Sequence, residues 1–88
     1  MKSIMQNEKE CYICKTTYDL EEHHCLHGTS NRKNAEKTGL KVWLCSEHHR
    51  LVHSDSWVDL QLKTEAQQKF EETHTREEFR QIFGKSWL

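Results

Sequence analysis

The sequence is rich in the two side chains that most often bind transition metals, with seven histidines and four cysteines in 88 residues. Two cysteines form the pair Cys11-x2-Cys14, and a second pair, Cys45-x2-His48, follows after 30 intervening residues. Two residues between ligands allow a turn that directs both side chains to one ion, and two such pairs complete the tetrahedral set of a structural zinc. The spacing therefore predicts a structural Zn²⁺ site; the alternative is two unrelated pairs of buried or idle residues.

A second group of histidines remains once these four ligands are assigned: His23, His24, His49 and His53. His49 and His53 are four residues apart, so on a helix they share one face, whereas His48 is rotated by roughly 100° from His49 and can face the zinc. His23 and His24 are adjacent on a predicted strand, so their side chains point to opposite sides unless a twist or bulge intervenes. One of them could bind a metal while the other contacts something else. The alternative is that these are ordinary surface or core histidines.

A metal site with an adjoining histidine suits the hydrolysis of a phosphodiester. That reaction needs a base to activate water and a cation to stabilise charge on the phosphate and on the departing oxygen. An ordinary histidine, with a pKa of about 6.5, is largely neutral at pH 7 and can accept the proton.

The elements that must position these side chains are predicted by local patterns. Residues 17–25 are typical of one arm of a hairpin, residues 41–44 of a second strand, and residues 45–53 of a helix. Ser30 is a candidate cap for a short helix that ends at Gly39. Cys25, the odd cysteine, is predicted to be a small core residue rather than a ligand.

Two more helices are predicted towards the C-terminus. Side chains that recur every four residues indicate an amphipathic helix over residues 58–74. The capping box Thr75-Arg-Glu-Glu78 begins another helix, which Gly84 ends.

Length and composition favour one small domain that needs a bound metal or disulfides to be stable. Hydrophobic residues make up 34% of the 88 residues, and a core this small is often completed by a metal or by disulfides. There is no apolar run of membrane length and no signal-peptide pattern, so we expect a cytoplasmic protein in which the cysteine content indicates metal ligands rather than disulfides. The expected divisions are a leader (1–10), a metal-binding core (11–55) and C-terminal helices (56–88).

The charge is nearly balanced, with 13 basic and 14 acidic residues. A strongly basic balance, which would indicate nucleic acid, is therefore absent. Between Asn31 and Arg50, however, five basic residues face only two acidic ones. Such a patch could hold phosphates, although an ordinary solvated surface would look the same.

Taken together, these motifs resemble the HNH endonucleases, or ββα-metal (His-Me finger) nucleases, and in particular small phage-type HNH proteins. The matching pieces are Cys11-x2-Cys14, Leu20-Glu-Glu-His23-His24, the run Gly39-Leu-Lys-Val-Trp-Leu-Cys-x2-His-His-x3-His53, and the closing Phe83-Gly-Lys-Ser-Trp-Leu88. They cover nearly the whole chain.

The resemblance assigns roles by position. His24 matches the general base. The ligands of a catalytic divalent metal match His23, His49 and His53. The structural zinc ligands match Cys11, Cys14, Cys45 and His48, with His48 in place of the more common fourth cysteine.

One position departs from the family pattern. Many HNH proteins have an Asn nine residues before the first helix ligand, where it orients the base, and this chain has Leu40 there. Asn31 is a nearby candidate for that role, and a backbone carbonyl is another.

The resemblance implies an α+β fold: a small ββα-metal domain stapled by one zinc, with additional C-terminal helices. It further implies a metal-dependent endonuclease that nicks or cuts double-stranded DNA with Mg²⁺, Mn²⁺ or Ni²⁺, in a bacterial or phage-infected cell. Arg32, Lys33 and Arg50 are candidates for contacts with the DNA backbone, which would position DNA without selecting sequence.

Two other functions stay open. The first is a non-catalytic, zinc-stapled module that binds DNA or a protein; Leu40 and the near-neutral charge favour it. The second is an interaction protein, such as a phage-encoded inhibitor, that binds through an acidic C-terminal helix. The sequence leaves open whether the partner is another protein or a second copy of the chain.

Overall fold

The computed structural model describes residues 1–28 and 30–88, and within them the chain forms two strands and four helices. In chain order these are β1 (Leu20–His24), α1 (Asn31–Thr38), β2 (Lys41–Cys45), α2 (Ser46–Ser54), α3 (Ser56–Phe70) and α4 (Arg76–Phe83). The two strands pair antiparallel, so the fold is α+β, as expected. Across the described ranges, no helix combines the length and the apolar character needed to cross a membrane.

The sheet pairs the strand that carries His23 and His24 with the strand that ends at Cys45. Leu20 pairs with Cys45 and His24 pairs with Lys41, so the end of β1 lies beside the start of β2. The predicted second strand is confirmed. The first strand begins later than the predicted residue 17, because Asp19 adopts a left-handed φ of 52° that interrupts the extended backbone. The strands are joined through α1 rather than by a tight turn.

Gly39 ends α1 as predicted, and two features of the site require glycine. Its φ of 74° is left-handed, which side chains rarely tolerate. A Cβ there would also meet the carbonyl oxygen of Lys2 at 2.5 Å and Ile4 at 3.1 Å. At the other end of α1, Ser30 occupies the N-cap position, but its side chain makes no capping hydrogen bond.

Residues 3–6 of the predicted leader pack on the domain, while residues 7–9 are exposed. The N–H of Ile4 donates to the carbonyl of Gly39 at 2.9 Å, and the side-chain oxygen of Gln6 accepts from the N–H of Trp43 at 2.7 Å. The bond to Trp43 lies on the outer edge of β2, which would otherwise carry unpaired backbone groups, and the bond to Gly39 lies just before that strand.

The C-terminal helices complete the core by packing on other helices, α3 against α2 and α4 against α1. The capping box at Thr75 and Glu78 is confirmed, and Gly84 ends α4 in a left-handed conformation. The predicted helix over 58–74 begins earlier, after the cap at Asp55, and ends at Phe70. Phe70 meets Phe79 at 5.6 Å between ring centres. The fully buried core includes Cys25, which confirms that it is a core residue.

Candidate metal centres

Three cysteines and one histidine meet at the junction of β2 and α2. The ligand atoms of Cys11, Cys14, Cys45 and His48 all lie within 4.8 Å of one another. The Sγ atoms of Cys14 and Cys45 are 3.9 Å apart, and Nδ1 of His48 lies 3.2 Å from Sγ of Cys45 and 3.6 Å from Sγ of Cys11. A tetrahedral zinc with bonds of about 2.3 Å to sulfur and 2.0–2.1 Å to nitrogen would place S–S pairs about 3.8 Å and S–N pairs about 3.6 Å apart. The cluster can therefore hold a structural metal such as zinc.

Local turns direct these four side chains inward. The N–H of Lys15 donates to the carbonyl of Cys11 at 2.9 Å, and the left-handed φ of 67° at Lys15 reverses the chain after Cys14. Cys45 ends β2 and is the N-cap of α2, which places His48 in the first turn of that helix. Burial opposes ionisation of Cys11, yet backbone N–H groups, including those of Cys14 and Cys45, lower the pKa of its thiol to about 6. A thiolate is the form that binds a metal.

A second cluster joins β1 to a different face of α2. The ligand atoms of His23, His49 and His53 lie within 4.8 Å of one another, and the Nε2 atoms of His49 and His53 are 3.1 Å apart. Two nitrogens bound at right angles, each about 2.0–2.1 Å from one ion, would be about 3 Å apart. Nδ1 of His49 lies 3.2 Å from a carboxylate oxygen of Glu21, the kind of outer contact that orients a metal-binding histidine. This set can therefore bind a divalent ion.

His23 is the buried member of this cluster, at 3% exposure. Its Nε2 has no hydrogen-bond partner, and among the residues that the structure describes no other buried side-chain nitrogen or oxygen lacks one. Burial, together with the nearby His49, His53 and His27, lowers the pKa of His23 to about 4, which keeps the ring neutral. A neutral imidazole with an unpartnered nitrogen fits a metal ligand, because burying a polar atom without a partner is otherwise costly.

His24 points away from His23, as adjacent strand residues should, but it borders the same cleft. Its Nε2 lies 2.9 Å from Oε1 of Glu36, one of the two acidic residues in the otherwise basic stretch between Asn31 and Arg50. Glu36 also binds Lys41 at 2.8 Å, and the contacts with Lys41, His24 and the N-terminus hold its pKa far below the usual range. Glu36 is therefore an ionised acceptor that orients His24.

The proposed base-orienting role of Asn31 does not match its contacts. The side-chain amide of Asn31 donates to the carbonyl of Phe83 at 3.4 Å, because α1 packs against the end of α4. Leu40, at the family's Asn position, is fully buried in the core. The side chains near Nε2 of His24 are two carboxylates, Glu36 at 2.9 Å and Glu22 at 4.0 Å, and Glu36 is the one within hydrogen-bond distance.

The cleft has a volume of about 270 Å³ and is lined by Glu22, His23, His24, His27, Arg32, His49 and His53. Of the three predicted DNA contacts, Arg32 lies at this cleft, while Lys33 and Arg50 are exposed outside it. None of the ion pairs among residues 1–28 and 30–88 involves Arg32. Its guanidinium is therefore available to an anion at the mouth of the cleft.

Sequence reasoning missed His27 and Asp59. Nε2 of His27 lies 2.9 Å from Oδ1 of Asp59, which joins the segment after β1 to α3. The only signal in the sequence was a further histidine three residues after His24, and no local pattern links it to Asp59.

Comparison with protein-family models, with curated proteins and with solved structures finds no match to this chain.

Proposed function

We propose that this protein is a metal-dependent endonuclease of the HNH type that hydrolyses phosphodiester bonds in DNA. The observation that carries the proposal is the three-imidazole cluster in a cleft, with the buried Nε2 of His23 left without a partner. The order of β1, β2 and α2 around that cluster also supports a ββα-metal domain.

His23, His49 and His53 would hold the divalent ion. When bound, such an ion supplies positive charge to a phosphate oxygen and to the departing 3′ oxygen. The chain prepares the ligands beforehand: burial keeps His23 neutral, and the helical spacing brings His49 and His53 to one face of α2.

His24 is the proposed general base. Because Glu36 is an ionised acceptor, the Nε2 of His24 carries the proton and donates to it, which leaves the lone pair on Nδ1. Nδ1 can then take the proton of an attacking water. Glu36 thus has the role that a carboxylate plays towards histidine in other hydrolases: it fixes the tautomer and stabilises the imidazolium that forms.

The proposed partner is DNA, bound through its phosphates. Arg32 at the cleft is the leading contact, because it is exposed and its guanidinium can bind a phosphate with two parallel hydrogen bonds. Lys33 and Arg50 would add charge nearby. The Cys3His cluster would hold zinc as a structural staple rather than take part in the reaction.

The test is plasmid cleavage with Mg²⁺, Mn²⁺ or Ni²⁺, with EDTA as the metal-free condition. We expect nicked or linear product with at least one of these ions and none with EDTA. His24→Ala should lower the rate by about 10²- to 10⁴-fold, the usual contribution of a general base. The matched control is His74→Ala, which removes an exposed histidine stacked on Phe70 at 4.3 Å, away from the cleft. An intact plasmid under all conditions would contradict the proposal.

The second candidate is a non-catalytic binding module on the same scaffold. The specific observation that favours it is Leu40, which replaces the family's Asn and is buried. The contact of Glu36 with His24 weighs against it, because it supplies the base with another orienting group. Salt-sensitive DNA binding without cleavage would favour the module.

A further inference from the structure

The cleft contains a fourth histidine beyond the three that match the HNH pattern. His27 lines it, with its ring centre 6.1 Å from that of His23 and 6.2 Å from that of His53. We propose that His27, supported by Asp59, is a fourth imidazole ligand of the divalent ion. The proposal rests on the same metal site as the proposed nuclease function, and it adds a residue and a metal preference to it.

Ring separations support this assignment. The three assigned ligands have ring centres 4.8–5.4 Å apart. An imidazole nitrogen binds at about 2.0–2.1 Å and its ring centre lies about 1 Å beyond, so two rings on one ion are separated by roughly 4.5 to 6.5 Å. The separations of His27 from His23 and His53 are wider than those among the three, and its nitrogens lie outside the 4.8 Å cluster that the three form, so His27 must rotate to reach the ion. His27 follows β1 in a connection beside Gly28 and is 39% exposed at its side chain, so it has room to rotate towards the ion.

The contact with Asp59 prepares His27 for this role. Asp59 pairs with Lys63 at 2.9 Å as well as with Nε2 of His27 at 2.9 Å, so its carboxylate accepts from both. Nε2 of His27 therefore carries the proton, and the lone pair lies on Nδ1, free to bind a metal. Most metal-binding histidines donate their other N–H to a carboxylate, carbonyl or water in this way. Asp59 thus positions the His27 ring without itself binding the ion.

A purely structural role makes a different prediction. As a link between the segment after β1 and α3, the His27–Asp59 contact would contribute to stability and would leave metal affinity unchanged. Measurement of metal binding therefore separates the two roles, whereas measurement of stability alone does not.

A fourth imidazole has a consequence for metal choice. Four nitrogen ligands fill a tetrahedral zinc and leave no position for water or phosphate. On an ion that accepts six ligands, such as Co²⁺, Ni²⁺ or Mn²⁺, two positions stay open. The cleft would then favour chemistry with a six-coordinate ion while zinc is held in the cysteine cluster.

The experiment adds Co²⁺ to the full-length, zinc-loaded protein. Each imidazole bound to Co²⁺ gives one strongly shifted, exchangeable N–H signal in proton NMR, and calorimetry gives the affinity. We expect four such signals in the wild type and three in His27→Gln, with Co²⁺ affinity reduced at least 10-fold. Asp59→Asn should reduce affinity by about 10- to 100-fold, as outer-shell changes do. Lys63→Met, which removes the other partner of Asp59, is the control and should bind Co²⁺ as the wild type does.

Three signals in both the wild type and His27→Gln, with equal affinity, would overturn the inference, as would a wild type that binds no Co²⁺. Retained zinc and an unchanged melting temperature verify that each variant is folded, and the signal count of the wild type decides the question without any variant. This outcome is separate from nuclease activity. Four signals with an intact plasmid would reject the nuclease function and support His27 as a ligand. Plasmid cleavage with only three signals would support the nuclease function and reject His27 as a ligand.

Discussion

Replacement of His23 by leucine should stabilise the zinc-loaded protein while it destroys the second metal site. His23 is buried opposite Val42, and its Nε2 is unpartnered. A buried polar atom without a hydrogen bond costs about 1–3 kcal/mol, and leucine removes that atom while it fills a similar space. With the second ion stripped away, we expect His23→Leu to be more stable than the wild type by about that amount at pH 7.5.

The gain should increase as the pH falls. The folded-state pKa of His23 is about 4, below the ordinary value of 6.5. Between pH 4 and pH 6.5, His23 therefore binds a proton in the unfolded chain and stays neutral in the folded one. Wild-type stability is therefore lost as the pH falls through 6.5 towards 4. For these two pKa values, the free energy of unfolding falls by about 1.3 kcal/mol between pH 7.5 and pH 5.5 because of His23. Leucine does not titrate, so the variant lacks this decrease.

Urea unfolding of both proteins at pH 7.5 and pH 5.5 measures these differences. Effects of acid on the cysteine cluster are common to both proteins and cancel in the comparison. Addition of Ni²⁺ at pH 7.5 should then reverse the order, because a ligand at about 1,000 times its Kd stabilises the protein that binds it by about 4.1 kcal/mol, more than the gain expected from leucine. His74→Leu, at an exposed position, should give no comparable gain. If His23→Leu is less stable than the wild type, by an amount that does not change with pH, His23 is an ordinary core histidine and the metal assignment fails.

Two further predictions concern the staple and the DNA contacts. Cys14→Ala should abolish binding of one equivalent of zinc and leave a largely unfolded chain, because so small a core depends on its metal; metal analysis and circular dichroism check this, and a folded variant without zinc would contradict it. Arg32→Ala with Lys33→Ala should weaken binding to unrelated DNA sequences equally and reduce the slope of log affinity against log salt by roughly 0.9 per lost contact; an unchanged slope would remove these residues from the DNA interface.

The parts of the site that follow from local spacing could be predicted from the sequence. The interval between Cys45 and His48 fits one turn at the start of a helix, and that between His49 and His53 fits one face of it, whatever surrounds the helix. The capping box at Thr75 is equally local. Such features depend on backbone geometry alone, so a single sequence contains enough information to find them.

The partners of the histidines could not be predicted in the same way. Glu36 reaches His24 from α1, and Asp59 reaches His27 from α3, across 12 and 32 positions of the chain. Those contacts depend on how helices pack, and no pattern within either helix encodes them. The hydrogen bond from the N–H of Trp43 to the side-chain oxygen of Gln6 was missed for the same reason. The polar sequence around Gln6 does not indicate that it covers a strand edge.

The helix α2 connects the two candidate metal centres. His48 faces the cysteine cluster and His49 the histidine cluster, so a metal bound at the first would fix the rotation of α2 that sets the geometry of the second. Cys45 strengthens this link, because it ends β2 and caps α2 with one residue. The separation between His49 on α2 and His23 on β1 then depends on the sheet register and on a single helix rotation, both set within a few residues of the cysteine cluster. With a metal in the cysteine cluster, a domain of 88 residues with a modest core would hold the histidine cleft rigidly, because the bound metal would lie next to the helix that must not move.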